Sequence, residues 1–329
     1  MNGLGELRIR TKRLVLATRR LLLLDHENDG ATNRKGVFSM RKSMTAVLAT
    51  MSLLILAPAT RAQNASPTPH PNVPQHRDGY GRPIPDPDPN EKPGPAPKHD
   101  LWGIWEPDGW REGTQAQGAR EEPADARHTL PFTPEGEKAW HANKPGWGIT
   151  AVPIGENNDP FDICDPLGFP RIELFNLRQL RIYGTDKQAG IMYENDQVWR
   201  NIWTDGRELP KEIDEPRWYG YSVGKWVDDY TLVVETTGLD SRTWIDNAGR
   251  PHSDQLKVEE TFHRLNDRII ELTLTITDPV MYTKPWVALN KFRLRKQPDW
   301  FDIREMICST SEASGYNKVY QGSRPGGAK

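Results

Sequence analysis

The stretch QLKVEETFHRL-ND-RIIELTLTIT, residues 255–277, constrains the fold more than any other part of the chain. Ile270, Leu272, Leu274 and Ile276 alternate with Glu271, Thr273 and Thr275. That period of two marks a strand with one buried face. Asn266-Asp267, between the two runs, is a hairpin signal. Similar runs recur on both sides. LRQLRIYG (177–184) and AGIMYE (189–194) flank Thr185-Asp186-Lys187, and WRNIWT (199–204) ends at Asp205-Gly206-Arg207. TLVVETTG (231–238) follows Val227-Asp228-Asp229, and WVALNKFRLR (286–295) and WFDIREMIC (300–308) surround Gln297-Pro298. About eight strands joined by short turns favour an antiparallel, lipocalin-like β-barrel, large enough to hold side chains or one small ligand. A two-sheet β-sandwich is the alternative. One short helix precedes the strands. In FTPEGEKAWHANKPG, Thr133 can cap, Pro134 suits the first turn and Lys144-Pro145-Gly146 ends it.

The barrel domain is expected over residues 100–308, from DLWGIW to the second cysteine, with a flexible tail over 309–329. Residues 63–99 are dense in proline, as in RPIPDPDPNEKPGPAPKHD, and read as a disordered linker. Residues 40–62 read as a signal peptide: Arg41 and Lys42, then an apolar run, then small residues at Thr60 and Ala62. The run is about 13 residues, against roughly 20 for a bilayer span, so no stable membrane insertion is expected after cleavage. A signal peptide works at an N-terminus, so residues 1–39 are read as a start assigned too far upstream. The chain is therefore expected to be periplasmic or secreted.

Removing residues 1–62 takes away 11 of the 43 basic and 4 of the 45 acidic residues, leaving 32 against 41 and a net charge of −9. No basic stripe remains to neutralise phosphates, which argues against nucleic acid as a partner. Cys164 and Cys308 are the two cysteines, and in an oxidising compartment they can form one bridge around 143 intervening residues. Chain-entropy models give so long a loop about 4–5 kcal/mol. Phosphate-cradling loops, zinc-protease helices, EF-hand loops and dinucleotide fingerprints do not occur, so no cofactor or metal is expected.

One residue breaks the strand pattern. Glu260 lies between Val258 and Phe262, on the face that should be buried. A buried carboxylate needs a partner or a bound proton, and Arg200, on a face with Ile202 and Thr204, is the natural partner. Glu260 is thus a candidate acid or base, or a ligand anchor with Arg200; a structural ion pair or a wet barrel-rim residue is the alternative. His252 and Asp254 in GRPHSDQL, and Tyr282, Lys284 and Trp286 in DPVMYTKPW, could lie at the barrel mouth. His252 and Tyr282 join Glu260 as catalytic candidates. Arg200, Trp203, Trp226, Asp254, Lys284 and Trp286 are the ligand-binding candidates. All 12 tryptophans follow position 101, and indole suits apolar, aromatic or sugar-like ligands as well as core filling.

The series DLWGIW, FTPEGEKAWHANKPG, CDPLGFPR, TDGRELP, the long run from YGYSVGKW to QLKVEE, and DPVMYTKPW occurs here in order. Over residues 100–308 it resembles a family of exported, largely uncharacterised β-rich proteins abundant in acidobacteria and sphingomonads. The resemblance implies a signal peptide, one β-rich domain and a terminal cysteine-bearing strand. Cys308-Ser309-Thr310 departs from the acidic and asparagine residues expected after that cysteine. The resemblance carries no catalytic assignment. Two functions suit such a barrel: binding of an apolar or aromatic small molecule, or cofactor-free hydrolase, isomerase or cyclase chemistry at a buried carboxylate. A structural role in the envelope is the third.

Overall fold

The structure, a computed structural model, describes residues 76–88, 90–108, 129–174 and 177–320. The upstream segment, the signal peptide and the first part of the linker lie outside the described residues. Nine strands close into a barrel in sequence order. They are β1 (Gly103–Pro107), β2 (Leu180–Thr185), β3 (Gln188–Tyr193), β4 (Trp199–Trp203), β5 (Tyr221–Trp226), β6 (Thr231–Thr237), β7 (Lys257–Arg264), β8 (Ile269–Thr277) and β9 (Trp286–Gln297). β1 pairs with β9 to close the ring, and every pair is antiparallel except β4 with β5. The hairpin around Asn266-Asp267 sets the β7–β8 register, with Glu260 opposite Leu274. Ile270, Leu272, Leu274 and Ile276 fill the interior with Val258 and Phe262, as alternation requires.

Two strands escaped the periodicity, and one expected strand is absent. In β5 the buried positions are Ser222 and Gly224, so no apolar stripe marks the strand. In β1 both faces are covered. Trp105 joins the main core, while Ile104 packs outside the barrel with Ile84, Phe301 and Ile303. WFDIREMIC alternates like a strand, but its Phe301 and Ile303 serve that outer cluster and only Met306 makes an isolated bridge, to Asn195. Burial beneath a covering segment thus mimics the strand pattern without a ladder.

The helix α1 (Pro134–Ala142) is capped by Thr133, whose Oγ1 accepts from the Gly136 amide at 3.0 Å. Gly136 is required by close approach: a Cβ there would stand 2.0 Å from the Met281 carbonyl oxygen. A four-residue helix, α2 (Arg171–Leu174), is entirely buried. The linker and tail expectations need correction. From His76 onward the proline-rich segment straps the barrel: Ile84 is 5% exposed, the Gly79 amide donates to the Asp302 carbonyl, and the Gly94 amide donates to Asp267 Oδ1. An extended chain can be fixed by a few such ties without a core of its own. At the other end, the helix α3 (Thr310–Tyr320) occupies the start of the expected tail. Cys164 and Cys308 form the disulfide, joining the end of a 3-10 turn (Pro160–Ile163) to the residues just before α3.

Candidate functional site

Four polar regions compete for the role of a site. The first lies inside the barrel. Arg200 Nη1 donates to Glu260 Oε1 at 2.8 Å, and Nη2 donates both to Glu260 Oε2 and to Thr236 Oγ1. Its Nε donates to Ser222 Oγ at 3.1 Å, which explains the serine in β5. The guanidinium also lies 3.8 Å from the Phe169 ring centroid. From α2, Glu173 reaches the same network: its Oε1 accepts from Tyr193 Oη at 2.6 Å and lies 3.7 Å from Arg200 Nη1. Burial, reinforced by the neighbouring Glu260 charge, pushes the Glu173 carboxyl up to about 8. Burial opposes the Arg200 charge, but Glu260 outweighs it and holds the guanidinium more firmly protonated than usual. One guanidinium thus faces two carboxyl groups in the interior, and burial makes Glu173 the harder to ionise.

Glu260 is 0% exposed, and Glu173, Thr236, Ser222, Tyr193 and Phe169 are as fully buried. The pairing expected from the sequence is therefore present, between groups that are fully buried. Expectation missed Glu173, because a four-residue helix carries no readable period.

The second region is the loop cluster that caps the end where β6 finishes and β7 begins. His252 Nε2 is 2.8 Å from Thr243 Oγ1, and its Nδ1 is 3.0 Å from the Ser253 carbonyl. Burial lowers the His252 pKa, which favours the neutral ring. Tyr282 Oη donates to the Pro251 carbonyl at 2.8 Å, and the ring meets Trp286 edge-on. Asp278 accepts from the Ser253 amide and hydroxyl and from the Val280 and Met281 amides. These bonds tie loops together. His252 and Tyr282 make no hydrogen bond to Glu260, so the three catalytic candidates do not form one constellation. The ligand-binding candidates also scatter. Asp254 and Lys284 are exposed, and Trp286 is buried. Trp203 lies under Arg207 on the outer surface, and Trp226 lies beside His99.

The third region is open. A groove of about 390 Å³ follows α1 and is lined in part by Trp147, Ile154, Asn157, Asp159, Asp162 and Asn247. The Arg171 guanidinium, buried between the Phe161 and Trp244 rings, grips Asp159 with two bonds of 2.7 and 2.5 Å. Asn157 Oδ1 accepts from the Asp159 amide, which fixes the neighbouring backbone. Trp147 is 59% exposed and Ile154 is also open to solvent. Asn247, 3% exposed, keeps its Nδ2 sealed with no hydrogen-bond partner. None of these residues emerged from the sequence. The one available signal was a tryptophan directly after the helix-ending Pro145-Gly146.

A larger recess of about 780 Å³ lies beneath the strap. There His76 Nε2 is 2.7 Å from Glu106 Oε1. Burial, with the nearby Glu194 charge, raises the Glu106 carboxyl to about 7, against the opposing bond from Gln179. Among the described residues no group of three or more His, Cys, Asp or Glu is placed to hold a metal, and no helix is long and apolar enough to cross a membrane. Set beside family models, curated proteins and solved structures, the chain matches none of them.

Proposed function

We propose that this is an exported small-molecule-binding barrel whose ligand sits in the groove beside Trp147, outside the barrel interior. The carrying observation is the contrast in access. A largely exposed indole borders a recess of about 390 Å³, while the interior around Glu260 is sealed. Recesses of this size, with apolar walls and a few fixed polar groups, are the usual form of small-molecule sites. The interior carboxylates Glu173 and Glu260, both 0% exposed, are read as structure. The disulfide agrees with an oxidising compartment, and the motif series supports membership of the exported family it resembles. A ligand-observed NMR screen of a neutral, aromatic and aliphatic fragment library tests the reading. Hits should disappear for Trp147→Ala and persist for Trp203→Ala. A screen with no Trp147-dependent hit would sink it.

A further inference from the structure

We propose that the loop after α1, residues 145–155, is an interfacial anchor that docks the protein on a bilayer of zwitterionic lipid. This goes beyond the ligand role of the groove, because Ile149 and Ala151, on which the test turns, do not line it.

The loop reads PGWGITAVPIG and carries no charge between Lys144 and Glu156. Its apolar side chains nonetheless face water. Trp147 is 59%, Ile149 54% and Ile154 46% exposed, and Ala151 and Pro153 are exposed with them. Among the described residues, every other exposed large apolar side chain has a charged residue within two positions, as Val227 has Asp228 and Leu265 has Arg264. Trp147 and Ile149 have none. Single exposed apolar residues among charges are ordinary surface, whereas an uncharged group of them marks a contact.

Backbone ties hold the loop in this form. The Val152 amide donates to the Pro145 carbonyl at 2.9 Å, and the Asn158 amide donates to the Lys144 carbonyl at 3.1 Å. Asn158 Oδ1 accepts from the Lys144 amide at 2.7 Å, and Asn143 Nδ2 donates to the Gly249 carbonyl at 2.7 Å. A loop pinned at its base keeps presenting its apolar side chains.

Charge and area select the occupant. Acyl chains accept aliphatic side chains and exclude charge, and tryptophan favours the layer beneath the headgroups. Lys144 and Glu156, both exposed, flank the uncharged run on its two sides. The net charge of −9 over residues 63–329 disfavours anionic headgroups. A second copy of the chain fits less well. The three exposed side chains offer roughly 300 Å², so two loops face to face would bury about 600 Å², half of what a specific interface needs. A bilayer requires no complementary shape.

The test is flotation of the exported protein, recovered from the periplasm of an expression host, with phosphatidylcholine vesicles. Half-binding is expected at about 0.1–1 mM lipid, with no loss in about 0.5 M sodium chloride. Ile149→Asp and Ala151→Asp should each weaken it about 10-fold or more, and Val227→Asp should not. Ala151 is small and exposed, so its variant keeps the test if Ile149→Asp folds poorly. Brominated phosphatidylcholine should also quench the wild type more than Trp147→Phe, a measurement that needs neither aspartate variant. Absence of flotation, flotation abolished by salt, or flotation that both aspartate variants retain would overturn the proposal. So would a wild-type dimer in sedimentation without lipid that Ile149→Asp splits, since the occupant would then be a second copy.

Discussion

Arg200 with Glu260 and Arg171 with Asp159 make the same two-pronged contact in opposite settings. The first pair closes on itself inside the barrel, with Thr236, Ser222 and the Phe169 ring taking up the remaining faces of the guanidinium. In the second pair the arginine is buried, yet the carboxylate it holds lines an open groove. An ion pair whose members are both sealed can only hold the fold together. With one member facing a recess, the same contact fixes a functional group in place for something else to meet. All four residues are buried, so whether the held carboxylate borders a recess decides the role more than the residue types do.

The largest expected effect comes from breaking the sealed pair. Arg200→Ala should cost about 3–5 kcal/mol, because Glu260 would remain buried without its cation. Chemical denaturation measures the loss. A stable variant with altered ligand binding would reverse the roles assigned to the two pairs.

Glu173→Gln probes the neutral acid of the same network. A carboxyl whose folded pKa is raised contributes stability that is full below its unfolded pKa and is lost as pH rises through the folded value. For Glu173 the window runs from the ordinary 4.5 up to about 8. Wild type should lose on the order of 2–4 kcal/mol relative to the glutamine variant between pH 5 and pH 9. Melting curves at those two pH values should therefore approach or cross. Parallel curves would mean that Glu173 is ionised throughout.

Asp159→Asn should cost less, about 1–3 kcal/mol, since the amide still accepts one bond from the buried Arg171. It should also weaken binding in the groove, which Glu173→Gln should leave unchanged at pH 6. The smallest stability effect belongs to Trp147→Ala, within about 0.5 kcal/mol for so exposed a side chain. Its effect on binding should be the greatest of the four. That inverse order of stability and binding is the sharpest form of the contrast, and equal ranking in both measurements would erase it.

Glu260 was legible because strand alternation is a strict rule: a charge at an inward position stands out against Val258 and Phe262. Arg200 followed, as the cation on an inward face of another strand. His252 and Tyr282 were readable as loop residues at a barrel mouth, but their hydrogen bonds to Thr243, Ser253 and Pro251 follow no sequence period. Asn247 meets the segment after α1 across about a hundred residues of chain, and Asp159 and Arg171 meet across irregular turns. β5 stayed hidden because its inward Ser222 and Gly224 serve the polar network and give no apolar signal.

The mainly β class, the face of each residue in the long hairpin and the pairing of the two cysteines were determined by the chain itself. Period-two burial and short turns leave few alternatives. Which carboxylates are sealed, which tryptophan stays open and which amide goes without a partner were decided only by the tertiary structure. Those outcomes depend on how loops without periodicity fold over the barrel ends, and access is a property of that packing.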